Sequence, residues 1–134
     1  MHVFIGGAHS GKTAYVKKIV EGKDASWLIG TALTPIDAPV IVIDCLEDWL
    51  VTQDLSDEDA VVEALMTDVR ALAAQATLYV VVADVGRGIV PMDKKLRQLR
   101  DVCGRFYQQL FAEAQSVTRI WYGLPEVLKK FENV

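Results

Sequence analysis

Short runs of consecutive apolar residues alternate along this chain with stretches whose apolar positions recur every three or four residues. That alternation predicts strands buried on both faces, separated by amphipathic helices. His2-Val3-Phe4-Ile5 predicts a first strand and residues 12–21 a helix behind it, after which Ser26-Trp27-Leu28-Ile29-Gly30 predicts a second strand. Thr34-Pro35-Ile36-Asp37-Ala38-Pro39 reads as a loop, because each proline lacks a donor and restricts its predecessor. The β-branched run Val40-Ile41-Val42-Ile43 predicts a third strand that ends at Asp44, with a brief helix over 46–51. Ser56-Asp57-Glu58-Asp59 supplies a capping-box pattern for a helix reaching about residue 75, with Val61, Leu65, Val69 and Leu72 at helical spacing. Residues 78–83 predict a fourth strand. A helix over 93–114 places Leu96, Leu99, Cys103, Phe106 and Leu110 on one face, and residues 117–122 predict a fifth strand. The charged tail, 126–134, reads as a short surface helix or a frayed end. Strands alternating with helices predict an α/β domain spanning residues 1–134: a five-stranded, mainly parallel sheet with helices on both faces.

One connection in this pattern carries chemistry. Between the first strand and first helix, Gly6-Gly7-Ala8-His9-Ser10-Gly11-Lys12-Thr13 satisfies G-x-x-x-x-G-K-[ST], so the expected fold is a P-loop NTPase of the RecA-like kind. Glycines let backbone amides approach a phosphate, and the orphan N–H groups at a helix start favour an anion there. Lys12 is then expected to reach the β/γ phosphates of ATP or GTP, and the Thr13 hydroxyl to ligate Mg²⁺. Ligands of such sheets sit beyond the carboxyl ends of the strands, which directs attention to Thr31, Asp44 and Asp84 as well as to the loop. Asp44 after four aliphatic residues fits a Walker B carboxylate holding the metal; the competing reading is a strand-ending aspartate that caps the next helix. Asp84 has two readings, orienting a water or hydroxyl nucleophile or bonding the glycine-rich turn at 85–91.

Composition narrows the setting. With 51% hydrophobic and 24% charged residues in 134, the chain can bury one core without disulfides. A net charge of −4 argues against a dedicated nucleic-acid surface. Cys45 and Cys103 have no ligand-spaced neighbours and read as small core residues in a reducing compartment. No apolar run approaches a membrane span, and the first residues lack a basic leader pattern, so a cytoplasmic protein is expected.

The loop Gly6–Thr13, the segment Val85-Gly86-Arg87-Gly88-Ile89-Val90-Pro91, and Leu99-Arg100-Asp101-Val102-Cys103-Gly104-Arg105 followed by Gln108-Gln109-Leu110 resemble one family. It is the adenosylcobinamide kinase/adenosylcobinamide-phosphate guanylyltransferase family of cobalamin assembly, whose members typically read GGARSGKS, then EVG-x-GIVP, then FRD-x-x-G. The last strand here ends Tyr122-Gly123-Leu124-Pro125, where the family shows SGIP or similar. The resemblance implies a nucleoside triphosphate donor, a cobinamide hydroxyl acceptor and a trimer-like homo-oligomer. For an interface of that kind Trp49, Phe111 and Trp121 are candidates, although Trp121 is expected in the core. The chain also departs from the pattern. Family members carry, between the second and third strands, a helix with the histidine that accepts GMP; here 33–39 bridges that gap, and the chain's histidines are His2 and His9. His9 stands where the family shows arginine and either touches a phosphate or fills the loop. Arg87 is either a phosphate contact or a solvated loop residue. The resemblance thus implies a kinase without guanylyl transfer, or a nucleotide-binding relative that has lost the chemistry.

Overall fold

All five positions of the strand Val40–Asp44 are buried, because the sheet is covered on both faces and β-branched side chains pack well on either. In the computed structural model, which describes residues 1–84 and 93–130, this strand is β3 of a six-stranded sheet. The chain order is β1 (His2–Gly6), α1 (Lys12–Val20), β2 (Ala25–Ile29), β3 (Val40–Asp44), α2 (Leu46–Leu50), α3 (Glu58–Gln75), β4 (Thr77–Ala83), α4 (Lys94–Glu113), β5 (Ser116–Trp121) and β6 (Leu124–Lys130). Strands lie in the order β2-β3-β4-β1-β5-β6; the first five run parallel, and β6 pairs antiparallel with β5. This is the RecA-like α/β arrangement expected from the sequence, with one strand more. The expected glycine-rich segment 85–91, Arg87 included, lies outside the described residues.

Alternate residues of each strand feed two cores. On one face Phe4, Val40, Val42, Val81 and Ile120 pack with Val16 and Val20 of α1. On the other, Val3, Ile41, Ile43, Val80 and Val117 meet α2, α3 and α4 through Leu50, Leu65, Val69, Phe106 and Leu110. Helix starts follow local chemistry. Asp57 accepts from the Ala60 N–H at the head of α3, and Asp93 from the Leu96 N–H at the head of α4. The cap of α3 is therefore Asp57, while Ser56 donates its hydroxyl to Asp54. The two long helices are tied on their outer side by Arg70, which donates from Nε and Nη2 to the two carboxylate oxygens of Glu113 at 2.9 and 2.7 Å. Among the described residues no helix is long and apolar enough to cross a membrane.

Four expectations are corrected. The tail is not a surface helix: its first half is β6, joined to β5 by the two-residue turn Tyr122-Gly123, with φ of 47° and 77°. Two consecutive positive φ values make a type I′ turn, whose twist matches that of the flanking strands. β6 lies at the sheet edge with nearly every side chain exposed, so it carries no alternating burial pattern to read, and Pro125 is tolerated on an edge. Its Lys129 donates to the carbonyls of Phe111 and Ala112 at 2.9 and 2.8 Å, capping the end of α4. Trp121 is not core but 46% exposed: it is the last residue of β5, paired with Leu124 of the edge strand and beyond the last β1–β5 pair, Ile5 with Arg119. Leu96, in the first turn of α4, is exposed as well. Cys45 is half-buried at the end of β3, whereas Cys103 is buried as expected.

Candidate functional site

The loop from Gly6 to Thr13 joins the C-terminal end of a central strand to the start of α1. Its shape depends on glycine at two places. Gly11 caps the helix with φ 87°, and a Cβ built there would stand 3.1 Å from the Cα of Gly123. A Cβ on Gly6 would meet the Ser10 hydroxyl at 2.4 Å and the Ile120 carbonyl oxygen at 2.9 Å. Gly7, in contrast, faces open space. The turn between β5 and β6 braces the loop from the side: the Gly123 N–H donates to the Ser10 carbonyl at 2.7 Å. No side chain caps α1 and no acidic residue occupies its first turn, so its positive end is free for an anion. Among the described residues the buried Ser10 hydroxyl has no hydrogen-bond partner, an orphaned group of the kind a phosphate oxygen would satisfy.

Thr13 and Asp44 are brought together across α1 and β3. The Thr13 hydroxyl donates to Asp44 Oδ2 at 2.8 Å, and the carboxylate is only 5% exposed. Its other oxygen, Oδ1, accepts from the Cys45 N–H at 2.8 Å. Cys45 reaches that position by adopting a left-handed conformation, φ 56° and ψ 33°, which is costly for a residue with a Cβ. Its Sγ lies 3.6 Å from the same oxygen. Burial, reinforced by the Asp44 charge, pushes the thiol up to about 11. Lys12 folds over the loop and donates to the Gly7 carbonyl at 3.2 Å. One turn beyond Asp44, half-buried Glu47 has its carboxyl pushed up, first by burial and then by the charges of Asp48 and Asp44, against the opposing pull of its own backbone N–H and Lys12. Glu47 thus feels the carboxylates of Asp48 and Asp44 and the ammonium of Lys12 together.

Magnesium keeps most of its shell as water and phosphate oxygen, so few protein ligands suffice. That matches this donor set. Among the described residues no three His, Cys, Asp or Glu side chains form a metal cluster, but the Thr13 hydroxyl and the Asp44 carboxylate stand beside the anion cradle.

Asp84 follows β4 and borders the same loop: its N–H donates to the Gly6 carbonyl at 3.1 Å. Tyr107 of α4 donates its hydroxyl to the neighbouring Ala83 carbonyl at 2.8 Å, fixing the end of β4. Burial pushes that phenol up, with Cys103 adding to the effect. Thr31 spends its hydroxyl on the Ala32 carbonyl at 3.3 Å. His9 is an exposed loop residue with φ 59°, and His2 sits at the opposite end of β1 with Nδ1 2.7 Å from Ser116 Oγ. Sequence reasoning missed Glu47, Cys45 and Gly123. Glu47 carries no motif, and the roles of Cys45 and Gly123 lie in backbone conformation.

The family model described as cobinamide kinase / cobinamide phosphate guanyltransferase matches residues 29–128. No curated protein matches the chain significantly. Among solved structures, the solution structure of protein NMB1076 from Neisseria meningitidis is similar at 13% identity, covering 73% of this chain and 68% of that one with a TM-score of 0.30, too slight a likeness to bear on function. The matched span begins beyond the glycine loop, so the loop rests on its own geometry.

The glycines provide a test. Gly11→Ala forces a Cβ into a left-handed position against the Gly123 backbone and should cost at least about 1–2 kcal/mol. Gly7→Ala adds a methyl to open space and should leave stability within about 0.5 kcal/mol. Thermal unfolding of the two variants checks the contrast; equal midpoints would show that the β5–β6 turn does not brace the loop.

Proposed function

The chain belongs to the cobinamide kinase / cobinamide phosphate guanyltransferase family, and on that footing we propose that it is a Mg²⁺-dependent kinase that moves the terminal phosphoryl of ATP or GTP to a hydroxyl of cobinamide or a similar small molecule. The observation that carries this reading is the 2.8 Å bond between Thr13 and Asp44, which joins the end of the glycine loop to the one buried carboxylate among the described residues. A metal bound there would supply charge neutralisation for the terminal phosphates. Thr13 would hold it directly and Asp44 directly or through water, while the loop amides of residues 8–13 and Lys12 bind and orient the triphosphate. Asp84 would align the acceptor and take its hydroxyl proton as the acceptor oxygen replaces the bridging oxygen on the terminal phosphorus; the nucleoside diphosphate leaves with the bond's electrons. Positioning and electrostatics supply most of the rate in such transfers. Two free thiols fit a reducing cytoplasm.

Guanylyl transfer is absent from this proposal. A covalent GMP intermediate on histidine needs a neutral imidazole in line with the α-phosphorus. His2 lies at the far end of β1, and His9 is part of the loop that would wrap the phosphates. A second reading, a nucleotide-binding relative without turnover, is favoured by one feature: residues 30–39, between β2 and β3, contain no helix to build a substrate cleft.

Calorimetry with MgATP and MgGTP tests the site. Lys12→Ala removes a charge-assisted contact worth about 1.5–3 kcal/mol, so affinity should fall roughly tenfold to a hundredfold. Unchanged affinity would remove Lys12 from the site. Incubation with α-labelled GTP and Mg²⁺ should leave no acid-labile label on the denatured protein; stoichiometric label lost in His9→Ala would restore the second activity.

A further inference from the structure

The carboxyl end of the sheet offers different chemistry on the two sides of the glycine loop. In the strand order β3-β4-β1-β5, Asp44 ends β3 and Asp84 follows β4, both to one side of β1, from which the loop springs. Trp121 ends β5, next to β1 on the other side. On the kinase reading the metal at Thr13 and Asp44 bridges the terminal phosphates and the acceptor meets Asp84, so the transferring end of the nucleotide faces β3 and β4. Its nucleoside end then faces β5.

What stands there is aromatic and cationic. A cavity of about 380 Å³, within the range of small-molecule pockets, borders the first half of the loop and reaches from Asp84 to Tyr122. Its wall on the β5 side includes, among the described residues, Arg119, Trp121 and Tyr122. Arg119 and Trp121, two positions apart on β5, share one strand face, and the guanidinium lies 5.8 Å from the indole centroid, within reach of cation–π attraction. Trp121 is 46% exposed and Tyr122 90%, so both rings keep surface for a ligand.

Backbone contacts fix the place of these rings relative to the loop. Trp121 pairs with Leu124 across the turn, and the Gly123 N–H donates to the Ser10 carbonyl at 2.7 Å, which holds the tip of the hairpin against the loop. Tyr122 sits at that tip at a cost. It holds φ 47° in the first position of the type I′ turn, where asparagine followed by glycine is the favoured pair. Fold stability alone favours another residue here, so the tyrosine ring answers to something other than the turn.

We infer that Trp121 and Tyr122, with Arg119 beside the indole, form the platform on which the base of the nucleoside triphosphate stacks. Every base has a π-face, so such a platform takes adenine and guanine alike and adds affinity without reading the base edge. The assignment rests on the kinase reading above and adds to it the residues that hold the nucleoside.

Calorimetry with MgATP, MgGTP and magnesium tripolyphosphate, which carries phosphates and no base, tests the platform. Trp121→Ala should weaken both nucleotides by about tenfold or more and Trp121→Phe should recover most of the loss, while tripolyphosphate affinity stays within about twofold in both variants. Tyr122→Asn separates the ligand from the fold, because it gives the turn its favoured pair: its melting temperature should rise while its affinity for both nucleotides falls about fivefold or more. Equal MgATP affinity in wild type and either Trp121→Ala or Tyr122→Asn overturns the assignment. A tripolyphosphate loss that matches the nucleotide loss also overturns it, by tracing the defect to the loop, and a loss confined to cobinamide overturns it by moving the platform to the acceptor. A wild type that binds tripolyphosphate but no nucleotide overturns the platform and leaves the anion cradle standing. One that binds neither overturns the kinase reading itself.

Discussion

The Gly123 N–H that donates to the Ser10 carbonyl is the contact on which the site's geometry depends. A glycine-rich loop has many accessible conformations, and holding one costs backbone entropy that the loop's few side chains cannot offset. Here the cost is met from outside the loop. The β5–β6 turn fixes the carbonyl before Gly11, and the near contact between Gly11 and the Gly123 backbone leaves no room for a side chain at that point. The edge strand therefore has a role that its exposed side chains do not suggest: pairing β6 to β5 aims a backbone donor at the glycine loop.

A second constraint acts on the opposite side of the loop. Asp44 is buried, and a buried carboxylate needs partners on both oxygens. Thr13 supplies one and the Cys45 N–H the other, the latter through a left-handed residue placed between β3 and α2. The carboxylate is thereby held in a fixed orientation toward the first turn of α1. Glu47 and Asp48 follow within a turn, and burial first, then the charges of Asp48 and Asp44, push the Glu47 carboxyl up.

How much of this was legible in the sequence varies with the physics involved. The parallel strands were readable because burial on both faces demands runs such as Val40-Ile41-Val42-Ile43. The strand–loop–helix placement of Gly6–Thr13 was readable because the apolar run before the loop and the helical pattern after it set its bounds. β6 was not, since an edge strand exposed at nearly every position has no burial period, and its turn begins with tyrosine rather than the residues that usually announce positive φ. Trp121 was misplaced because hydrophobicity predicts burial only on average, and a residue at the end of a strand can project past the layer that would cover it. Cys45 and Glu47 act through a backbone angle and a field, and neither leaves a signature in residue identity.

The central claim, that a magnesium triphosphate is held between the glycine loop and the Thr13–Asp44 pair, is tested most directly by a crystal structure with Mg²⁺ and a non-hydrolysable ATP analogue. The account predicts phosphate oxygens on the amides of residues 8–13, Lys12 moved from the Gly7 carbonyl to the terminal phosphates, and the metal bound to the Thr13 hydroxyl beside Asp44. A nucleotide bound elsewhere, or a metal that leaves the Thr13–Asp44 bond intact, would contradict it.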